Sequence, residues 1–423
     1  MTKFSLQRYN ILLLLLLNIT LVQSQRRRRQ QQQQGGRNIV ISSNGLAIAT
    51  TLGRVTRSSI VGGTSLVTFD VRTGIERTHS FDNVLPRGIQ GFDDVAISES
   101  SATSSTGRNG RRRTKSSIKV FAIDANSGLL CSFNLRNVNS LSFIGCTTRS
   151  VASQPFVGID TNNEGTLVVS GGTGGASVFS YNTNTGVLDN TPSIRNRELG
   201  DDIGYPSVTF VNSDEVAFGT DADRGFAVTI ATIGGSRRRP TLSRDAQFRV
   251  RDTIGFDYVL QPANFPFDSA VYIPQGRNNN IRWLYVANGA ITVQNPNGNV
   301  RSSRDVSNVI PNRFDFEAVT ISIDSSRSIA VVGGLTNGGS SSAYVVLDVS
   351  RPQNPRFVAL NDIGRNNNSS GGRGSGRITS IATADGIVLY VKEGSSSIGR
   401  DNVSSLLEEE GEEDEGEIDI ATY

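Results

Sequence analysis

The 423-residue chain is 36% hydrophobic and 19% charged, with 44 glycines, one histidine, two cysteines and a formal net charge of +3. A length this great needs either several domains or one large repeat-built domain. One His and two Cys exclude a Cys/His zinc site, and any Ser-His-Asp triad or Cys-His pair would have to use His79 itself.

Residues 1–24 read as a signal peptide. Lys3 and Arg8 form a basic start, Ile11–Val22 is an apolar run, and Val22 and Ser24 frame a cleavage site. A twelve-residue run falls short of the ~20 that span hydrocarbon, so secretion to the extracellular space or cell surface is expected, with no membrane span. Residues 25–37 (QRRRRQQQQQGGR) have no apolar side chain and read as a disordered leader. In an oxidising compartment the pair Cys131 and Cys146 is expected to form one disulfide, stapling two short strands around Asn137–Ser140. Sequons at Asn367, Asn368 and Asn402 are candidate glycosylation sites.

From Asn38 the chain turns into short runs rich in Val, Ile, Thr and Phe, separated by Gly, Asn, Asp and Ser, with almost no helical periodicity. A first strand recurs at 38–42, 92–98, 156–160, 205–210, 267–273, 316–324 and 377–383. A second follows at 46–51, 166–172, 215–220, 283–289, 328–334 and 387–394. A third ends in an Asp/Asn-Gly turn in SLVTFDVRTG (65–74), SVFSYNTNTG (177–186) and SIKVFAIDANSG (117–128), and AYVVLDVSRPQNP (343–355) has the same plan. The expectation is an all-β chain, a seven-bladed β-propeller of four-stranded antiparallel blades over residues 38–400. The second unit shows no clear second strand, with the low-complexity insertion 99–116 in its place. The seventh shows two strands and then the polar stretch 394–405. Residues 401–423 are an acidic tail with ten acids and no base, and 417–423 (EIDIATY) is a candidate blade-closing strand.

These units resemble secreted seven-bladed propellers of the lactonase-like kind. Ala343–Leu360 resembles the repeat named for its Leu-Val-Ile-Val-Asp core, through Asp348, Val349, Ser350, Pro352 and Pro355. The glycine doublets Gly171–Gly172 and Gly333–Gly334 are similar to those of kelch repeats, but the lone Trp283 cannot supply kelch's recurring tryptophan, and no Trp-Asp dipeptide is present for the WD type. A shared fold does not transmit function.

Two sets of residues stand out. Acids at the start of first strands (Asp93, Asp94, Asp201, Asp202, Asp268, Asp315 and Glu317) would converge on one mouth of a ring, where hard oxygen ligands suit Ca²⁺. The plain alternative is that each acid caps a loop or faces solvent. Arginine clusters at Arg26–Arg29, at Arg111, Arg112 and Arg113, and at Arg237, Arg238 and Arg239 suit sulfate and carboxylate groups, or are solvated loop tips. They carry no interleaved aromatic residues, so nucleic acid is not an expected partner. His79, in THSF, is placed on an outer strand, away from any channel. The reading is a monomeric extracellular binding or structural module for acidic polysaccharide or a protein partner, with no catalytic residue assigned. The alternative is a metal-dependent lactonase- or esterase-like hydrolase with Ca²⁺ at the channel mouth.

Overall fold

A computed structural model describes residues 38–55, 60–89, 91–101, 116–124, 127–147, 156–171, 176–189, 207–219, 228–236, 239–248, 268–272, 282–287, 289–294, 304–336, 341–364, 378–392 and 398–404. These residues form seven antiparallel sheets, each built from one continuous stretch of chain with its strands in sequence order. Sheet 1 holds β1 (Ile39–Ile41), β2 (Leu46–Val55), β3 (Ile60–Asp70) and β4 (Glu76–Ser80). Sheet 2 holds β5 (Asp94–Ser101), β6 (Ser116–Asp124), β7 (Leu129–Asn137) and β8 (Ser140–Cys146). Sheet 3 has three strands, β9 (Phe156–Thr161), β10 (Thr166–Gly171) and β11 (Ala176–Ser180), extended by a Tyr181–Leu188 bridge. Sheet 4 holds β12 (Ser207–Phe210), β13 (Glu215–Gly219), β14 (Val228–Ser236) and β15 (Arg239–Phe248). Sheet 5 holds β16 (Asp268–Tyr272), β17 (Arg282–Ala287), β18 (Ala290–Gln294) and β19 (Arg304–Asp305). Sheet 6 holds β20 (Glu317–Asp324), β21 (Ile329–Thr336), β22 (Ser341–Asp348) and β23 (Arg356–Asp362). Sheet 7 has three strands, β24 (Ile378–Ala384), β25 (Ile387–Lys392) and β26 (Ile398–Asn402).

The first strands close a ring. β1 neighbours β5, β5 neighbours β9, and the series runs through β12, β16, β20 and β24 back to β1. This is a β-propeller, and its core lies in the seams between sheets rather than at one centre. Ile48 and Leu66 of sheet 1 pack with Phe133 and Val120 of sheet 2. Ile39 and Ala49 of sheet 1 pack with Ala382 and Leu389 of sheet 7. Leu284 and Val286 of sheet 5 pack with Ala330 and Val345 of sheet 6. A single sheet would leave both apolar faces wet, so the closed ring is the stable unit.

Local sequence explains the turns. In DVRTG the Gly74 N–H donates to the Asp70 carbonyl at 2.8 Å while Asp70 Oδ1 accepts the Arg72 N–H at 2.9 Å. Gly74 sits at φ 71°, where a side chain is strained. NTNTG repeats the device, Gly186 donating to the Asn182 carbonyl at 2.7 Å.

The seven expected first strands coincide with β1, β5, β9, β12, β16, β20 and β24. Three details of the expectation change. Sheet 2 does have its second strand, because SIKVFAID is β6 rather than a third strand, and residues 102–115 connect β5 to β6. Sheet 7 gains a third strand, β26, within the stretch read as polar loop, and it ends at Asn402, past the expected boundary at 400. Glycine is needed there: a Cβ on Gly399 would lie 2.1 Å from the Tyr390 ring of the paired strand. The signal peptide, the leader and the candidate strand 417–423 lie outside the described residues.

Candidate functional site

Strand direction sorts every connection onto one of two faces. Each first strand runs from a proximal face to a distal face. Connections between sheets and second-to-third turns therefore lie proximally, and first-to-second and third-to-fourth turns lie distally. Contacts between neighbouring sheets agree. The Ser43 N–H and hydroxyl, in the first turn of sheet 1, donate to the Glu99 carboxylate near the end of β5. Glu99 N–H donates in turn to Asn163 Oδ1 at 2.9 Å, and Asn162 Nδ2 donates to the Ser213 carbonyl at 2.9 Å. Proximally, Gly289 of the β17–β18 turn bridges to Ala318 at the start of β20.

The acids singled out in the sequence lie at the proximal side and along the ring's inner wall. Asp94 opens β5 and is 8% exposed. Its Oδ2 accepts the Ile159 N–H of β9 at 2.9 Å, and its Oδ1 accepts the Val95 N–H at 2.8 Å and the Asn38 side-chain amide. Asp268 opens β16, and its Oδ2 accepts the Ile321 N–H of β20 at 2.9 Å and the Thr320 hydroxyl at 2.5 Å. Asp93 precedes β5 and donates its own N–H to the Ile123 carbonyl at 2.8 Å. Asp315 ends a short 3₁₀ turn at φ 45°, and Glu317 opens β20 against Gly289. Asp201 and Asp202 lie outside the described residues. Among the described residues no three Asp, Glu, His or Cys side chains gather as a metal set.

Asp94 and Asp268 share a different geometry: an acceptor on one first strand takes the backbone N–H of the next sheet's first strand. Sequence reasoning missed the third member, Asp160 of β9, whose Oδ2 accepts the Phe210 N–H of β12 at 2.7 Å. Hydroxyls do the same elsewhere. Ser322 Oγ accepts the Thr383 N–H at 3.0 Å, and Ser380 Oγ accepts the Ile39 N–H at 3.2 Å. Ser380 also donates to Asn38 Oδ1 at 2.9 Å, and Asn38 reaches Asp94, so one string of hydrogen bonds runs from sheet 7 through sheet 1 to sheets 2 and 3. Desolvation by burial pushes the Asp94 carboxyl up to about 7, against the pull of its N–H donors, with the Asp160 charge adding to the rise. Burial likewise pushes Asp160 up to about 6, with Asp268 adding repulsion.

His79 lies on β4, the outer strand of sheet 1, as expected. Its Nε2 is 2.9 Å from Thr68 Oγ1 and 3.2 Å from the Val138 carbonyl of the β7–β8 turn, which makes it an inter-sheet contact. Burial lowers its pKa, the Val138 hydrogen bond opposing. Cys131 and Cys146 are directly paired across β7 and β8 and form the disulfide. Asn402 is exposed and ends β26, and its Oδ1 accepts the Ser404 N–H at 2.9 Å. Asn367 and Asn368 lie outside the described residues.

The two internal arginine clusters are flanked in sequence by strand ends of the other face. Arg111, Arg112 and Arg113 lie outside the described residues, between Ser101 at the distal end of β5 and Ser116 at the distal start of β6. Arg237 and Arg238 also lie outside them, between β14 and β15, whose Ser236 and Arg239 pair at the distal face. Among the described residues, distal turns expose Arg72, Arg136, Arg327 and Arg351. Several acids there are spent on their own turns: Asp70, Asp324 and Asp348 each accept a nearby backbone N–H. Asp348 also pairs with Arg356 at 2.9 Å, beside a depression of about 420 Å³ lined by Ser350, Arg351 and Asn354.

No family model matches the chain, and no curated protein matches it in sequence. Solved structures do match in shape. The chain is similar to hydrazine synthase of Kuenenia stuttgartiensis, at 12% identity and a TM-score of 0.52, covering 88% of this chain and 96% of that one. It is also similar to the WD40 repeats of RRP9, at 10% identity and a TM-score of 0.50, covering 87% and 90%. At these identities the likeness shows the propeller fold alone. Among the described residues no helix is long and apolar enough to cross a membrane.

Proposed function

We propose that this chain is a secreted, monomeric seven-bladed propeller that binds acidic polysaccharide through its distal face. One observation supports the reading: the pairs that flank the two internal arginine clusters in sequence, Ser101 with Ser116 and Ser236 with Arg239, both lie at distal strand ends, away from the inner-wall acids. Guanidinium forks suit sulfate and carboxylate groups, and a rigid ring holds the flanking strand ends at fixed spacing. The basic start and apolar run at residues 1–24 and the Cys131–Cys146 bridge support an extracellular setting.

Retention on immobilised heparin tests it. Changing Arg111, Arg112, Arg113, Arg237, Arg238 and Arg239 to Ser should lower the eluting salt concentration sharply. Changing Arg365, Arg373 and Arg377, in the proximal connection between β23 and β24, should lower it much less. Equal losses in the two variants would reduce the reading to net charge, and unchanged retention in the first would remove the distal loops from the contact.

A further inference from the structure

A depression of about 420 Å³ opens on the distal face of sheet 6, where β22 turns into β23. That volume falls within the roughly 300–1,000 Å³ of small-molecule sites. Its rim is held by the backbone. Asp348 Oδ1 accepts the Ser350 N–H at 2.8 Å, the Asn354 N–H donates to the Arg351 carbonyl at 2.7 Å, and Val349 and Pro355 are buried. The Val349 N–H also donates to the Ser328 carbonyl at 2.7 Å, which ties this turn to the β20–β21 turn beside it. A rim set in advance spares a ligand the cost of ordering it.

Two kinds of group line the depression. Arg351 and Arg356 are exposed guanidinium forks, which suit a sulfate or a carboxylate. Among the described residues no carboxylate lies within ion-pair distance of Arg351, while Arg356 holds Asp348 Oδ2 at 2.9 Å. The second kind is Asp348, Ser350 and Asn354, a carboxylate, a hydroxyl and an amide. These accept from and donate to neutral hydroxyls. A bare anion would use the forks alone and be repelled by Asp348. A sugar ring with an acidic substituent beside its hydroxyls uses both kinds.

The arginines continue past the depression. Arg327, on the adjacent β20–β21 turn, reaches across to sheet 7, where a Cβ on Gly386 would lie 3.1 Å from its guanidinium carbon. From the other side, Arg72 of sheet 1 pairs with Asp385 of the same β24–β25 turn at 3.4 Å. Arg351, Arg327 and Arg72 are all exposed. The acids between them are engaged by their own turns: Asp324 accepts the Ser326 and Gly386 N–H groups, and Asp70 accepts that of Arg72.

We propose that the sheet 6 depression seats one acidic sugar unit of a sulfated polysaccharide. The anionic group lies on Arg351 and Arg356 and the hydroxyls on Asp348, Ser350 and Asn354, and Arg327 and Arg72 carry the chain onward over sheet 7 to sheet 1. The inference rests on the polysaccharide reading and gives it a seat built on three neighbouring sheets.

Calorimetry on the full chain with a trisulfated heparin disaccharide tests the seat. Arg351→Gln, which has no ion pair to lose, should weaken binding at least about tenfold, and Asn354→Ala severalfold. Changing Arg87 and Arg313, exposed in proximal connections, to Gln should weaken it less than about twofold. Arg327→Gln should spare the disaccharide and weaken a heparin octasaccharide severalfold. No disaccharide binding, equal losses in the distal and proximal variants, or inorganic sulfate competing as well as the disaccharide overturns the proposal. Retention on immobilised heparin separates the two readings. If the chain is retained and Arg351→Gln changes neither retention nor disaccharide affinity, the seat is wrong and the polysaccharide reading stands. If the chain is not retained, the polysaccharide reading fails, and the disaccharide measurement alone decides whether the depression takes a sugar.

Discussion

The seam between sheets 1 and 2 and the seam between sheets 7 and 1 hold the same ring by different means. The first is filled with aromatic bulk. Phe133 lies 4.7 Å from Phe81 and 5.7 Å from both Phe92 and Phe143, ring centre to ring centre, and the Cys131–Cys146 bridge pins the strands that carry Phe133 and Phe143. The second is packed with small side chains, Ala47, Ala49 and Ala382, beside Ile39 and Leu389. There, polar contacts take up the closure: Ser380 to the Ile39 backbone, Arg400 to the Val71 carbonyl, and the side-chain pair Arg72–Asp385. Sheets 1 and 2 are also joined directly by residues 81–93, whereas β1 and β24 meet from opposite ends of the described chain. Where chain continuity already brings two sheets together, aromatic packing acts beside inter-sheet hydrogen bonds such as Asn38 to Asp94 and Ser43 to Glu99. Where it does not, small residues let the strands approach closely and hydrogen bonds fix their register.

The largest expected effect breaks the aromatic seam. Phe133 is fully buried among three other phenylalanines, and Phe133→Ala removes its transfer energy and leaves a cavity they cannot fill. The loss should be about 3–5 kcal/mol by denaturant unfolding. A loss near 1 kcal/mol would mean that the seam collapses around the gap and that its stability does not depend on aromatic bulk.

The next effect separates carboxylate latches from the hydroxyl latch at the closing seam. Asp94 and Asp160 hold their protons more tightly in the fold than in the unfolded chain, because burial penalises the charge. Their contribution is full near pH 4 and is lost as the pH rises through about 6 to 7, so the fold should melt lower at pH 8 than at pH 5. Asp94→Asn keeps an oxygen for the Ile159 N–H without the charge, and should flatten that dependence while holding or raising stability at pH 8. Asp94→Ala leaves the amide without its acceptor and should cost about 1–3 kcal/mol. Ser380→Ala, at the closing seam, should leave the pH dependence untouched, since the hydroxyl does not titrate in this range. Thermal melts of the three variants at both pH values decide it, and an unchanged pH slope in Asp94→Asn would clear Asp94 of the role.

The legibility of each element in the sequence depends on what the element is made of. All seven first strands can be read because they are buried runs of Val, Ile and Phe, and the propeller emerges from their recurrence. β6 is misplaced by one position because Asp124–Gly128 closes a second-to-third turn with the same Asp-to-Gly spacing that closes third-to-fourth turns elsewhere. β26 is illegible because IGRDN carries one aliphatic side chain, and its remaining fit comes from Gly399 lying under Tyr390. The acids stand out as a class, but their partners are backbone amides of the next sheet, which have no sequence signature. Asp160 escapes because it sits near the end of its strand, whereas the acids that stand out mark strand starts.

The smallest effect belongs to the exposed pair that straps the closing seam. Arg72 Nη2 lies 3.4 Å from Asp385 Oδ2, and both side chains are well exposed, at 64% and 46%. Solvent and salt screen such a pair, so a double-mutant cycle of Arg72→Ala and Asp385→Ala should return a coupling of about 0.2–1 kcal/mol that shrinks at high salt. A coupling above about 2 kcal/mol, unmoved by salt, would require that pair to be shielded from water. The measured size of this one ion pair therefore reports how far the closing seam between sheets 7 and 1 depends on its exposed strap.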